Sequence, residues 1–235
     1  MTTLMLLPGL NCDAAVWAPQ MAALKNDARC VVPAWGLRDT LTAMAEQVLA
    51  EAPAERFSVA GHSMGGRVAL EVFRLAPQRV ERLALLSTGT HPLAAGEAGE
   101  KEKAGRMALL QIARTQGMRA MGQQWARGMV HRDHLDTPVF EQVLDMLARG
   151  SAEQYAAQIN ALLTRPDAGP LLPTMACPTL VLTGRDDAWS GPAQHEVMAA
   201  AIPNATLAII EHCGHMCTME QPQAVNEALA AWLQR

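Results

Sequence analysis

One serine in this chain stands where a serine can be made nucleophilic. Ser63 lies in Gly61-His62-Ser63-Met64-Gly65, after the apolar run Phe57-Ser58-Val59-Ala60 and ahead of Val68, Ala69, Val72, Phe73 and Ala76, which recur at helical spacing. Strand, Gly-x-Ser-x-Gly and helix in that order predict a sharp turn that holds the serine in a strained backbone and lifts its hydroxyl above a sheet. Glycine at 61 and 65 suits a turn where strand and helix pass too close for side chains. The helix N-terminus beneath Ser63 would favour a developing negative charge through its amides and dipole. A serine hydroxyl is still a poor nucleophile at neutral pH. It needs a base within hydrogen-bond reach, and the base needs a partner that fixes its tautomer. Two later stretches carry those residue types, Gly184-Arg185-Asp186-Asp187 and Glu211-His212-Cys213-Gly214-His215, each directly after an apolar run. Type and position alone leave Asp186 and Asp187 open as the acid, and His212 and His215 open as the base.

These loops can meet only if the strands before them lie in parallel, with their carboxyl ends on one edge of a sheet. The chain has that organisation. Residues 3–7, 30–32, 57–60, 83–86, 179–182 and 206–210 read as short strands, most of them apolar throughout. Between them lie amphipathic helical patterns: Trp17, Met21 and Leu24; then Leu41, Met44, Ala45, Val48 and Leu49, capped by Asp39 or Thr40; a helix after Pro192; and a closing helix with Val225, Leu229 and Trp232 inward. Apolar strands alternating with helices predict an α/β fold, a mostly parallel central sheet with helices on both faces. From about His91 to Arg165 the alternation stops and only helical patterns remain. Met118, Met121, Trp125 and Met129 share a face. Thr137 is expected to cap a helix that has Pro138 at its first position and Phe140, Val143, Leu144 and Leu147 inward, and Ser151 with Gln154 makes a capping-box pattern. The expected division is a core of residues 1–90 and 176–235, with 91–175 a helical cap and its return linker. The methionine-rich cap is first a hydrophobic core and second an adaptable roof over an apolar pocket.

Composition narrows the function. A chain of 235 residues can bury a large core. The net charge of −4, with acids and bases interspersed, predicts no nucleic-acid partner and no membrane surface partner. No apolar run reaches transmembrane length, and residues 4–7 are too short for a signal peptide. Five cysteines without framework spacing suggest reduced thiols and a cytoplasmic location. His212, Cys213, His215 and Cys217 crowd into one loop without the two-plus-two spacing of a zinc site, so no metal is expected. No nucleotide or flavin motif is present, and no cofactor is expected. His131 and His134 read as solvated residues, as do Lys101 and Lys103 mixed with Glu100 and Glu102. No feature sets an oligomeric state.

Leu7-Pro8-Gly9-Leu10, Gly61-His62-Ser63-Met64-Gly65, Gly184-Arg185-Asp186-Asp187 and Gly214-His215, in this order, resemble the motifs of α/β-hydrolase fold proteins of the small capped esterase, lactonase and C–C hydrolase group. The resemblance runs along essentially the whole chain and is weak across the cap. It implies Asp187 as the acid, three residues past the strand-ending glycine, and His215, which follows a glycine, as the base. It implies the backbone amides of Leu10 and Met64 as oxyanion donors. Two features depart from the pattern. Pro8-Gly9 replaces the usual His-Gly, which bears on substrate preference because the donors are backbone amides. The leading hairpin has no counterpart, so the sheet is expected to start at the family's third strand. The implied activity is hydrolysis of an ester, thioester or lactone of a small to medium, mainly apolar small-molecule substrate. Its rivals are C–C cleavage of a vinylogous diketone, acyl transfer, and a ligand receptor that keeps the fold. Trp17, Trp35, Trp125, Trp189 and Met216 are candidate pocket residues.

Overall fold

The computed structural model describes residues 2–235. Its centre is a six-stranded sheet of β1 (Thr2–Leu7), β2 (Ala28–Val31), β3 (Phe57–His62), β4 (Val80–Leu86), β5 (Thr179–Gly184) and β6 (Ala205–Ile210), in the order β2-β1-β3-β4-β5-β6. Every neighbouring pair is parallel. The helices are α1 (Ala18–Ala23), α2 (Leu41–Glu51), α3 (Met64–Leu75), α4 (Glu97–Gln116), α5 (Met118–Trp125), α6 (Pro138–Ala148), α7 (Ala152–Leu163), α8 (Pro192–Ala201), α9 (Cys217–Glu220) and α10 (Pro222–Leu233).

Burial on both faces explains the unbroken apolar strands. Successive side chains of a strand point to opposite faces. Leu4 and Leu6 therefore pack with Ala60, Leu86 and Leu182 against Leu229 and Trp232 of α10. Met5 and Leu7 pack with Val59, Leu85 and Val181 against Met44 and Val48 of α2 and Val68 and Val72 of α3. A sheet covered this way has no solvent face to carry polar residues.

Local chemistry sets the helix starts. Thr40, rather than Asp39, caps α2: its hydroxyl accepts the Ala43 N–H at 3.1 Å, a cap contributing about 1 kcal/mol. Ser151 and Gln154 form both halves of the capping box of α7. Pro138 opens α6, but the Thr137 hydroxyl turns back to donate to the His134 carbonyl and does not cap.

Between β4 and β5 the chain forms α4 to α7 and, among the described residues, no strand. All four helices enter the core, α4 through Leu110 and Ala113 and α5 through Met118 and Met121. Tyr155 and Ile159 of α7 join the cluster of Met5 and Leu7, and Phe140 and Leu144 of α6 join that of Leu4 and Leu6.

The strand order places the site. From β1 the chain steps outward to β2, then crosses back to β3 on the other side of β1. Loops that leave the carboxyl ends of β1 and β3 diverge at this reversal and open a crevice. The loop after β1 begins Pro8-Gly9-Leu10, and the residue after β3 is Ser63.

Candidate active site

Ser63 sits between β3 and α3 with φ 55° and ψ −117°, a left-handed conformation that a residue with a side chain adopts at a cost of roughly 1–3 kcal/mol. The surroundings impose it. The Ser63 N–H donates to the Leu86 carbonyl at 2.9 Å, and the Thr88 hydroxyl donates to the Ser63 carbonyl at 2.7 Å. The flanking glycines let the two elements approach. A Cβ at Gly65 would lie 2.0 Å from the Leu7 carbonyl oxygen, and one at Gly61 would lie 2.2 Å from the Gly65 oxygen.

The structure brings Ser63, His215 and Asp187 into one hydrogen-bonded line. His215 Nε2 is 2.8 Å from Ser63 Oγ, and His215 Nδ1 is 2.9 Å from Asp187 Oδ2. The other carboxylate oxygen of Asp187 accepts the N–H groups of Trp189 and Ser190, both at 2.9 Å. Burial alone would raise this carboxyl. The facing His215 ring and the two amides outweigh it and hold Asp187 well below the usual carboxylate range. Asp186 points elsewhere: its side chain is 46% exposed and lies 3.6 Å from His131 Nε2. His212 is exposed, in a left-handed turn (φ 51°), with its ring against His131 rather than Ser63.

The loop bearing His215 is pinned from three sides. His62 Nε2 donates to the His215 carbonyl at 2.8 Å. Burial and the nearby His215 ring push the His62 pKa down to about 4, which keeps it a neutral donor. The His215 N–H donates to the Met129 carbonyl at 2.6 Å. Glu220, buried on α9, accepts the Gly214 and His131 amides on one oxygen and the Met216 amide on the other, at 2.6–3.1 Å. Gly214 is required there, because a Cβ would lie 2.7 Å from the His131 nitrogen. Glu220 carries no motif, and only the folded α9 brings it to these amides.

Leu10 and Met64 both face the cavity in front of Ser63. Met64 is the first residue of α3, so its N–H has no acceptor within the helix. The Leu10 N–H has no backbone acceptor among the described residues. The loop that bears Leu10 is fixed at its base by Trp35, whose indole N–H donates to the Pro8 carbonyl at 3.0 Å. Beyond it, Asn11 (φ 55°) donates its amide to Gln158 of α7 at 2.7 Å and its side chain to the Leu147 carbonyl of α6 at 2.9 Å.

The cavity measures about 740 Å³. Trp125 and Trp189 line it, stacked with ring centres 5.8 Å apart, and Trp189 lies 5.0 Å from the His215 ring. The other three pocket candidates do not line it. Trp17 and Met216 are fully buried behind the sheet and its loops, and Trp35 serves the Pro8 carbonyl instead. Residue type does not separate these roles; distance from the strand ends does. The pocket lining is mainly apolar, but it also carries charged side chains that the sequence alone does not place there. Arg67, Lys101, Glu102, Arg106 and Arg165 form one wall. Glu102, expected on a solvated face, accepts Arg106 and Arg165. Arg67 had a readable signal, since it follows Ser63 by four residues on one helix face. Arg106 and Arg165 had none, because only the folded chain brings them together.

The ligand-type side chains that gather are those of His131, Asp133 and His212, whose donor atoms lie within 4.8 Å of one another. Cys213, His215 and Cys217 are not among them. His131 is buried, not solvated, because Glu220 draws its backbone inward.

Comparison with known proteins gives consistent matches. A model described as Alpha/beta hydrolase family matches residues 4–228. The 3-oxoadipate enol-lactonase 2 of Acinetobacter baylyi is 30% identical over 177 residues, which are 74% of this chain and 62% of that protein. This chain thus spans less than two thirds of that relative. The 2-hydroxy-6-oxononadienedioate/2-hydroxy-6-oxononatrienedioate hydrolase of Cupriavidus pinatubonensis is 27% identical, covering 98% of this chain and 86% of that one. Among solved structures, a thermophilic esterase from Thermogutta terrifontis superposes with a TM-score of 0.88 at 27% identity, covering 100% of this chain and 90% of the other. Among the described residues, no helix is long and apolar enough to cross a membrane.

Proposed function

The chain belongs to the alpha/beta hydrolase family, and from that premise we propose that it is a serine hydrolase that cleaves a carboxylic ester, thioester or lactone of a small to medium substrate through an acyl-enzyme on Ser63. The carrying observation is the unbroken line Ser63 Oγ–His215–Asp187 at 2.8 and 2.9 Å. His215 Nε2 takes the hydroxyl proton as Oγ attacks the carbonyl carbon. Asp187, ionised and buried, holds the Nδ1 proton in place and stabilises the imidazolium. The tetrahedral oxyanion is held by the Leu10 and Met64 amides, where two preset donors act on charge that exists only in the transition state. His215 then returns its proton to the leaving alcohol, thiol or lactone oxygen. A water deprotonated by His215 cleaves the acyl-enzyme and regenerates Ser63.

Residues 91–175 act as the cap of this site and set its substrate range, since they supply Trp125 and, apart from Arg67, the charged wall. The protein works without metal or cofactor on a small molecule, in the cytoplasm, where its five cysteines stay reduced; all five are free thiols. A second reading, hydrolytic C–C cleavage by the same three side chains, is favoured by the match along 98% of this chain to a hydrolase of an oxo-dienedioate. The test is turnover of a graded series of p-nitrophenyl esters and lactones by wild type and Ser63→Ala. The reading expects turnover that Ser63→Ala abolishes in a folded protein. Wild-type rates in that variant would sink it.

A further inference from the structure

The charged wall of the cavity does not balance. Glu102 is the only carboxylate lining it, and two guanidiniums already hold that group. Arg165 grips both of its oxygens at 2.8 Å, and Arg106 donates to one of them at 2.8 and 2.9 Å. Arg67 is left over. It makes no ion pair among the described residues, and its one hydrogen bond, 2.9 Å, goes to the His91 carbonyl, an acceptor that Arg165 also uses at 3.1 Å. Two cations thus converge on one neutral oxygen. Burial and the nearby Arg165 push the Arg67 pKa down to about 9 against the opposing pull of Glu102, so it stays charged at neutral pH without a hydrogen-bonded counterion. A partly buried cation without an ion-pair partner is unfavourable, and a bound anion would relieve it.

A second group faces the same space unsatisfied. Tyr155 of α7 lines the cavity, is fully buried, and its hydroxyl has no hydrogen-bond partner. Burial raises its pKa to about 12, so it remains a proton donor. Its ring is held edge-on to Trp125 at 5.9 Å.

We propose that Arg67, with the Tyr155 hydroxyl lining the same cavity as a second donor, binds a carboxylate of the substrate, so that the protein acts on esters or lactones of short dicarboxylic or keto-dicarboxylic acids. The proposal rests on the hydrolase reading for its scissile bond. Arg67 follows Ser63 by four residues, one turn of α3 and a rise of about 6 Å, so the bound carboxylate stands a short alkyl chain away from the attacked carbonyl. A guanidinium suits this task because its planar fork matches a carboxylate in two parallel hydrogen bonds.

The test compares kcat/KM for mono-p-nitrophenyl glutarate with that for methyl p-nitrophenyl glutarate, spontaneous hydrolysis subtracted. The two share the scissile ester and differ only at the distal end, a carboxylate in one and its methyl ester in the other. Wild type is expected to prefer the free acid. Arg67→Met is expected to lower the acid-to-neutral ratio on the order of 10- to 100-fold, as for loss of a charge-assisted hydrogen bond. Arg67→Lys, which keeps the charge and loses the fork, should retain part of it. A parallel measurement needs no turnover: glutarate should raise the thermal midpoint of Ser63→Ala and not that of Ser63→Ala/Arg67→Met. If neither ester is cleaved, the hydrolase reading fails, and the thermal shift alone decides the carboxylate site. Absence of an acid preference in wild type, or a ratio unchanged in Arg67→Met, overturns the proposal. So does a glutarate shift that survives Arg67→Met, or a larger shift with inorganic phosphate than with glutarate.

Discussion

Replacing Asp187 by asparagine tests the assignment of the acid at one atom. Asp187 Oδ1 accepts two backbone amides at 2.9 Å, and Oδ2 faces His215 Nδ1 at 2.9 Å. An asparagine must keep its carbonyl oxygen on the two amides, because turning its NH2 toward them would leave two buried donors facing a donor, at about 1–3 kcal/mol each. Its NH2 then points at His215 Nδ1. The imidazole responds by carrying its proton on Nε2, which makes it a donor to Ser63 and no longer a base. Turnover should fall by roughly 10³ to 10⁴, as for loss of a triad acid, which corresponds to a barrier increase of ~4 to 5.5 kcal/mol. Asp186→Asn should cost less than about tenfold, because that carboxylate is half-exposed and approaches only His131, at 3.6 Å. The assay is kcat/KM with one activated ester for both variants, after circular dichroism has established that each is folded. A tenfold or smaller loss in Asp187→Asn, or an equal loss in both, would refute the reasoning.

Gly65→Ala puts a methyl 2.0 Å from the Leu7 carbonyl, a backbone atom that cannot yield without moving β1, so a destabilisation of about 3 kcal/mol or more is expected; an unchanged thermal midpoint would contradict the packing argument. Glu220→Gln turns one acceptor oxygen into a donor among three buried amides, costing about 1–3 kcal/mol, and should lower the thermal midpoint by roughly 2–12 °C together with turnover, since the His215 loop loosens; normal values of both would remove Glu220 from the account. Stability should also depend on acid pH. Asp187 lies below its ordinary value, and Glu102 is lowered to about 2 by Arg165 and Arg106 against the opposing effect of burial. Groups depressed in the folded state bind protons more readily when unfolded, so their contribution is full above about pH 4–5 and is lost as pH falls below that. Glu220, raised by burial, has the opposite sign and is least unfavourable in acid. His62, held at about 4 in the folded state, takes up a proton more readily when unfolded, so stability is also lost from about pH 6.5 downward. A thermal midpoint that falls from about pH 6.5 and continues to fall below about pH 4 is the expected profile, and one that rises on acidification would reverse it.

The sequence made the fold legible because its strands are buried on both faces and its helices carry ordinary caps. Residues 4–7 could be read as a strand from their unbroken apolar run, and Ser151 with Gln154 marked a helix start by side-chain chemistry alone. Gly-x-Ser-x-Gly is equally local as a pattern, although only Gly61 is demanded by near neighbours, Gly65 and Gly66, while Gly65 is demanded by Leu7 on β1. Legibility ended where tertiary distance decides. Nothing local distinguishes Trp35, which fastens Pro8, from Trp189, which faces His215. His131 looked solvated because Glu220, 89 residues on, is what buries it. The mixed charges around Glu102 suggested an exposed face, yet α3, α4 and the end of α7 gather Arg67, Arg106 and Arg165 around the cavity. That convergence is invisible in any single stretch.

The central claim is that chemistry passes through a covalent bond to Ser63. Treating the protein with a fluorophosphonate and measuring intact mass, peptide map and ester turnover together tests it most directly. The account predicts one adduct per chain, mapped to Ser63, with turnover lost in step with labelling and no adduct in Ser63→Ala. Full turnover in protein labelled at Ser63, or turnover lost in step with labelling at another residue, would contradict it.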